Sequence, residues 1–179
     1  RRGAQHLVAR GHQRLVAGSK SDDYAPVFSP DSAWVAFFRF GDGIYIARVD
    51  GSDTHRVFAT GGIASPSAWS PDGSQLYIQA LAQDGVDVMR IDVASGQTAT
   101  LFNTGASKGA SGALLSPDGS RFAYSGRVFG QINPGVFVVD ADGANPRPVT
   151  TLDTIPTIPG AWSPNGTWLL ISVAEYDGE

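Results

Sequence analysis

The chain has 179 residues, of which 42% are hydrophobic and 17% are charged, and its formal net charge is −4. This length suits one well-packed domain or a short array of repeats, and the acidic balance argues against nucleic acid or an anionic membrane as a partner. The absence of cysteine excludes disulfides, thiolate nucleophiles and cysteine-ligated zinc. No apolar run approaches the roughly 20 residues that a membrane span needs, so none is expected.

One short phrase, Ser-Pro-Asp-Gly or a close variant, recurs four times along the chain. Its prolines follow one another at intervals of 41, 46 and 47 residues, and they are Pro30, Pro71, Pro117 and Pro164. Repeat periods of about 40 to 50 residues are typical of propeller blades or of helical solenoids. The chemistry of the segments between the prolines decides between these two architectures.

In chain order, each proline is followed by short apolar runs that are separated by turn residues. The first repeat reads "WVAFFRF", then Asp42-Gly43, then "IYIARVD", then Gly51-Ser52 and "HRVFAT". Asp-Gly pairs between apolar runs are strong hairpin signals, because tight hairpin turns need residues with positive φ. No helix-length window shows a 3.6-residue apolar period. The pattern therefore predicts an all-β fold, a β-propeller of four-stranded antiparallel blades.

The two ends of the chain read as two halves of one blade. The N-terminal "AQHLVARGHQRLVAG" matches the third and fourth strands of a repeat, and the C-terminal "WLLISVAEYDGE" matches a second strand and its turn. We therefore predict a single propeller domain with three whole blades and one split blade. The whole blades are expected at about 20–62, 63–106 and 107–153, and the split blade joins 1–19 with 154–179.

Three interpretations of this count remain open. A four-bladed monomer could close on itself, because pairing strands from both termini in one blade removes exposed edges. Two chains could instead share their split blades in an eight-bladed homodimer. The chain could also be a segment of a longer propeller.

The four phrases "PVFSPDSAWVAF", "SAWSPDGSQLYI", "ALLSPDGSRFAY" and "GAWSPNGTWLLI" resemble the WD40-like (PD40) repeats of TolB-type β-propellers. The resemblance covers nearly the whole chain. It departs from the pattern at Ser32, Leu115 and Asn165, and four repeats are fewer than the six blades usual in that family. It implies protein–protein binding and, in a bacterium, a periplasmic or extracellular location.

No catalytic constellation stands out among the remaining residues. The segment Gly105–Gly109 fits the G-x-S-x-G pattern, but a blade follows it where a nucleophile elbow requires a helix. The three histidines show no metal-ligand spacing, and the recurring carboxylates sit at turns. We therefore expect no enzymatic activity, no cofactor and no metal.

Two segments are candidates for binding. Among the segments that lead into the innermost strands, only the first is strongly polar, which makes Asp22, Asp23 and Tyr24 the leading channel-mouth residues. The competing interpretation is that one of these aspartates bonds to backbone amides and fixes the loop. The longer loop Ser125–Gly135 offers a second contact patch of Arg127, Phe129 and Asn133, unless it is only an enlarged hairpin.

The sequence therefore favours a non-catalytic propeller that binds a protein or a small ligand at one face. Two alternatives belong to other classes. The chain could be the propeller part of a larger enzyme, either the gate of a prolyl-oligopeptidase-type hydrolase or a propeller lyase. It could also be a carbohydrate-binding propeller, for which repeated exposed aromatic residues at one rim would be the sign.

Overall fold

The computed structural model describes residues 4–9, 12–18, 21–105, 112–126, 135–150 and 157–173, the first two ranges by their backbone alone. All regular structure in these residues is β-strand. No helix with the length and apolarity of a membrane span occurs in them. The strands are β1 (Ala4–Ala9), β2 (His12–Gly18), β3 (Asp23–Phe28), β4 (Trp34–Arg39), β5 (Gly43–Arg48), β6 (Thr54–Ala59), β7 (Ala64–Trp69), β8 (Gln75–Leu81), β9 (Val86–Asp92), β10 (Thr98–Asn103), β11 (Leu114–Leu115), β12 (Arg121–Gly126), β13 (Gly135–Asp140), β14 (Arg147–Pro148), β15 (Thr157–Trp162) and β16 (Leu169–Val173).

These strands form three four-stranded sheets in which consecutive strands pair: β3–β6 (blade 1), β7–β10 (blade 2) and β11–β14 (blade 3). The predicted fold of four-stranded blades is thereby confirmed. At the chain ends, β1 pairs with β2 and β15 pairs with β16 in two separate two-stranded sheets. The union of these two pairs into one split blade, and the homodimer that sharing it would create, stay predictions.

The chain divides into two compact units. Unit 1 comprises residues 1–80 and 89–99, and it holds the β1–β2 pair, blade 1 and much of blade 2. Unit 2 comprises residues 81–88 and 100–179, with the remainder of blade 2, blade 3 and the β15–β16 pair.

The core of unit 1 forms on both faces of β4 and β5. Alternate residues of a strand point to opposite faces, and here both sets are apolar. Ala36 and Phe38 join one large cluster that also contains residues of blade 2, whereas Val35 and Phe37 pack on the other face. The large cluster consists of Ala36, Phe38, Ile44, Ile46, Ala64, Trp69, Leu76, Ile78 and Ile91. A strand buried on both faces is what a blade flanked by other sheets requires.

In unit 2, β12 and β13 are buried along most of their length. The ring of Phe102 meets the rings of Phe122 and Tyr124, with centroids 5.8 and 4.9 Å apart. Tyr124 in turn stacks on Phe137 at 5.6 Å. Four aromatic rings therefore pack together in the core of this unit, at distances typical of favourable ring pairs.

The recurring phrase forms the turn between the first and second strands of each repeat, and its serine and aspartate hold that turn together. In the second copy, the Ser70 hydroxyl donates to Asp72 Oδ1 (2.5 Å), which also accepts the Ser74 amide N–H (3.0 Å). The Gln75 amide donates back to Ser70 Oγ at 2.9 Å. Gly73 has φ of +73°, which explains the glycine that usually follows the aspartate.

The other copies reproduce this bonding with different residues. In the fourth copy, Asn165 Oδ1 accepts from the Ser163 hydroxyl (2.8 Å) and from the Thr167 amide (3.1 Å). In the first copy, Ser32 takes the glycine position with φ of +58°. An asparagine therefore satisfies the turn as an aspartate does.

The hydrogen bonds to the turn aspartates lower their pKa values. The pKa of Asp72 falls from 3.8 to about 2, first because of the Ser70 hydroxyl and then because of Ser74. The pKa of Asp118 falls to about 2 through the equivalent bonds from Ser116 and Ser120. Both groups therefore hold their protons less tightly in the folded state than in the unfolded state.

This difference predicts a loss of stability in acid. The contribution of the two carboxylates is fully present above pH 3.8 and is lost as the pH falls towards 2. The double variant D72N/D118N keeps the turn bonds, as Asn165 does, but cannot titrate. Its urea midpoint should fall less than that of the wild type between about pH 5 and about pH 2.5. An equal fall in both proteins would contradict the assignment.

The recurring phrase predicts that the residue before its Ser-Pro pair, which is aromatic in three of the four copies, packs between neighbouring blades. Trp69 does so: it lies in the large cluster of unit 1, and its indole N–H donates to the Val27 carbonyl of blade 1 at 3.2 Å. In unit 2, the Trp162 indole donates to the Leu114 carbonyl of blade 3 at 3.0 Å. Phe28, in the first copy, is half exposed, and for this residue the expectation is wrong.

The innermost strands carry an irregularity that the sequence analysis did not predict. The hydrogen-bond register shifts in β3 between Tyr24 and Val27, in β7 after Pro66, and in β15 after Pro159. Proline cannot donate to a strand ladder, so it is found at such bulges. In β3, Ala25 adopts φ of +51°, which a non-glycine residue rarely does.

Candidate binding surface at the start of blade 1

The three residues predicted at the channel mouth lie together at the start of β3, but they do not have the same surroundings. The Asp23 side chain is fully buried and forms a bidentate ion pair with Arg39: Nε lies 2.8 Å from Oδ1, and Nη2 lies 3.1 Å from Oδ2. Asp23 pairs with Arg39 across the β3–β4 ladder, which places both side chains on one face of the blade. Asp23 therefore has a structural contact within blade 1.

Arg39 extends this contact into a network on the same face. Its guanidinium lies over the ring of Tyr45, 4.3 Å from the centroid, and the Tyr45 hydroxyl donates to Asp42 Oδ2 at 2.5 Å. Arg56 also donates to Asp42. The hydrogen bond from Tyr45, followed by the contribution of Arg56, lowers the pKa of Asp42, and the bond to Asp23 raises the pKa of Arg39. The network holds the start of β3 against the β4–β5 turn.

The opposite face of the same segment is exposed. The Tyr24 hydroxyl donates to Asp22 Oδ2 at 3.3 Å, and the negative charge of Asp22 is the main cause that raises the pKa of Tyr24. Tyr24 is 50% exposed and Phe40 is 61% exposed. The Phe40 amide N–H donates to the Asp22 carbonyl at 3.0 Å, which extends the β3–β4 pairing by one step. Asp22, Tyr24 and Phe40 therefore share one face, and we call these three residues the mouth surface.

Phe40 was not among the residues predicted from sequence. It ends the apolar run "WVAFFRF", so the alternation of that run placed it with the core residue Phe38 rather than at the surface. Its position in the sequence could have indicated its exposure. Phe40 is the last residue before the Gly41-Asp42-Gly43 turn, and neighbouring strands no longer cover the chain there.

The second predicted patch, Arg127, Phe129 and Asn133, lies outside the described residues. The same is true of most of the G-x-S-x-G segment, from Ala106 onwards. Within the residues that the structure does describe, no group of three or more histidine or acidic side chains could hold a metal ion.

Consecutive four-stranded antiparallel meanders of this kind are typical of the blades of a β-propeller. Residues 5–178 match the family model described as the TolB beta propeller domain, and the chain belongs to that family. The chain is 33% identical over 86 residues to the Tol-Pal system protein TolB of Alcanivorax borkumensis, an alignment that covers 45% of this chain and 20% of that protein.

Solved structures with this fold include TolB from Acinetobacter baumannii, with a TM-score of 0.71 and 20% identity over 94% of this chain and 41% of that one. An oligogalacturonate lyase in complex with manganese has a TM-score of 0.66 and 17% identity, over 89% of this chain and 47% of that one. The chain thus spans less than half the length of each of these relatives. At these identities, the structural likeness shows the fold alone.

Proposed function

We propose that the chain is a non-catalytic binding propeller and that its partner is another protein, which contacts the mouth surface. The observation that carries this proposal is an exposed tyrosine and an exposed phenylalanine beside a carboxylate, on one face of blade 1. Aromatic residues that combine a large apolar area with a polar group dominate the energetics of protein interfaces.

The backbone beneath this surface supports the same proposal. Ala25, next to Tyr24, keeps a positive φ inside a register shift. Unfavourable backbone conformations of this kind persist where the surrounding structure holds them, and they cluster at functional sites. The Asp23–Arg39 ion pair on the other face supplies that support, because it ties the first residue of β3 to the last residue of β4.

The recurring carboxylates favour binding over catalysis. The four turn residues Asp31, Asp72, Asp118 and Asn165 each accept a serine hydroxyl and a backbone amide within their own turn. The recurrence of these residues is therefore explained by the turn and is no sign of a repeated catalytic site.

The relative from Alcanivorax borkumensis is named for the Tol-Pal system. We extend that context to this chain as part of the proposal: a Pal-type protein is the partner, and the periplasm of a bacterium is the location. The likeness to a lyase and to prolyl endopeptidases is at 15–17% identity and gives no support for an enzymatic role. The carbohydrate-binding alternative stays a prediction.

The proposal predicts that Tyr24→Ala and Phe40→Ala each weaken binding to the Pal protein of Alcanivorax borkumensis by about tenfold or more. Surface plasmon resonance with immobilised Pal measures the effect. Phe28→Ala is the matched control, because Phe28 is also 50% exposed and lies at the other end of β3. If the wild-type chain does not bind Pal, or if Phe28→Ala weakens binding as much as Tyr24→Ala does, the proposed partner or the proposed surface is wrong.

A further inference from the structure

A cavity of about 380 Å³ lies in unit 1 between the first turns of blades 1 and 2. Its volume falls in the range of about 300–1,000 Å³ that small-ligand pockets occupy. Asp31 and Trp34 line it from blade 1, and Trp69, Asp72 and Gly73 line it from blade 2. We call this cavity the first groove.

In unit 2, the first turns of blade 3 and of the β15–β16 pair meet at the equivalent place, and we call this place the groove in unit 2. The two grooves are built alike. Trp69 and Trp162 each donate an indole N–H to a carbonyl of the preceding sheet. A Cβ on Gly73 would lie 3.9 Å from Pro30 Cδ, and a Cβ on Gly166 would lie 3.8 Å from Pro117 Cδ.

The groove in unit 2 holds a guanidinium group from the chain itself. The Arg121 guanidinium carbon lies 5.3 Å from the centroid of the Trp162 ring, and Arg121 Nη2 donates to the Gly166 carbonyl at 3.3 Å. The positive charge of Arg121 also contributes to lowering the pKa of Asp118. The groove architecture therefore accommodates a guanidinium group, with a tryptophan face, a turn carbonyl and a turn carboxylate around it.

The first groove has the same walls but a different residue at the position of Arg121. Trp34 stands four residues after Pro30, as Arg121 stands four residues after Pro117. The face of Trp34 is covered by Arg48, 4.7 Å from the ring centroid, and the ring edge meets His55. Trp34 therefore lines the first groove and leaves its volume open.

The first groove is also the more acidic of the two. The pKa of Asp72 is about 2, and hydrogen bonds from Ser29 and Ala33 lower the pKa of Asp31, so both carboxylates are ionised at neutral pH. Arg48 is the positive group that contributes to the shift of Asp31, so it offsets one of the two charges. In unit 2, the position of Asp72 is taken by the neutral Asn165.

We propose that the first groove binds the side chain of an arginine residue supplied by a protein partner. The guanidinium of that arginine would lie against the part of Trp69 that lines the groove, as Arg121 lies over Trp162, and it would pair with Asp72, which stands where unit 2 has the neutral Asn165. Tryptophan is the best aromatic partner for a cation, and the planar guanidinium stacks and pairs at the same time, which a lysine ammonium does not. The proposal deepens the proposed function, on which it rests, by naming a chemical group of the partner.

A small probe tests the groove separately from the proposed partner. The indole N–H resonances of Trp34 and Trp69 are followed by NMR while Nα-acetyl-arginine amide is added at low salt. We expect a saturable shift of both resonances. Two control probes should each bind at least about fivefold more weakly. Nα-acetyl-citrulline amide has the shape of the arginine probe but no charge, and Nα-acetyl-lysine amide has the charge but no planar guanidinium group.

Asp72→Asn should weaken binding of the arginine probe by about fivefold, the worth of one exposed charge pair. The turn bonds of Asn165 show that this variant can keep its fold. Asp118→Asn is the control in unit 2, where Arg121 of the chain already occupies the equivalent place, and this variant should bind the probe as the wild type does. Trp34→Arg should abolish binding, because it places the chain's own guanidinium in the first groove.

Equal binding of the arginine and citrulline probes, or unchanged binding to the Asp72→Asn variant, would overturn the proposal. An effect of Asp118→Asn as large as that of Asp72→Asn would overturn it too. Because this experiment uses no Pal protein, and because it leaves Tyr24 and Phe40 untouched, its failure is distinguishable from the failure of the proposed function.

Discussion

Replacing Asp23 by alanine is expected to lower the free energy of unfolding by about 3 kcal/mol, since removing one partner of a buried ion pair leaves the other charge without compensation. Arg39 would lose both of its bonds to the Asp23 carboxylate while it remains nearly buried. Urea unfolding followed by circular dichroism measures the change.

The exposed pair of Arg56 and Asp42 gives the control for this prediction. Both side chains are more than a third exposed, so Arg56→Gln should cost no more than about 1 kcal/mol. A stable, fully folded Asp23→Ala variant that has lost only Pal binding would show instead that Asp23 serves the partner. The comparison therefore decides which of the two roles considered for this aspartate is correct.

The second large effect is expected from Phe122→Ala, which should lower the free energy of unfolding by about 3–5 kcal/mol. Phe122 has no exposed surface, and its ring packs against Phe102 in the core of unit 2. Truncation removes the buried apolar area and leaves a cavity that the close-packed strands β12 and β13 cannot fill.

Val149→Ala, at a position in the same unit that is 47% exposed, should change the stability by no more than about 0.5 kcal/mol. Urea unfolding measures both variants. A loss for Phe122→Ala no larger than for Val149→Ala would mean that this part of unit 2 does not carry a packed core.

The sequence predicted the architecture because its signals are local. The residues of a Ser-Pro-Asp-Gly phrase are sufficient to form its turn, because the serine and the aspartate bond to one another and the glycine supplies the positive φ. Four repetitions of such a turn mark four repeats of the same structural unit along the chain. Trp69 and Trp162 both precede the recurring phrase, and this repeated position predicted that they pack between neighbouring blades.

The candidate site was predicted only in part, because its contacts depend on register. Asp22, Asp23 and Tyr24 were identified by composition, but which of them faces inwards depends on the pairing of Asp23 with Arg39, sixteen residues away. A shift of one residue in that ladder would exchange the two faces. The exposure of Phe40 and the positive φ of Ala25 follow from the same register and could not be inferred from the residue types.

The first groove shows another limit of sequence analysis. Trp34 and Arg121 occupy the same position in two copies of the repeat. Comparison of the two copies alone indicates only that one surface residue replaces another. Only the contacts of Arg121 with Trp162 and Gly166 show that one copy of the groove is filled by the chain and that the other is left open.

The indole bonds of Trp69 and Trp162 give the array a direction. In both cases the later sheet donates and the earlier sheet accepts. Proteins are synthesised from the N-terminus, and in repeat arrays each unit depends mainly on its neighbours. Each of these tryptophans is therefore synthesised after the strand that carries its acceptor carbonyl. A newly made sheet can then pack at once against the sheet that precedes it in the chain.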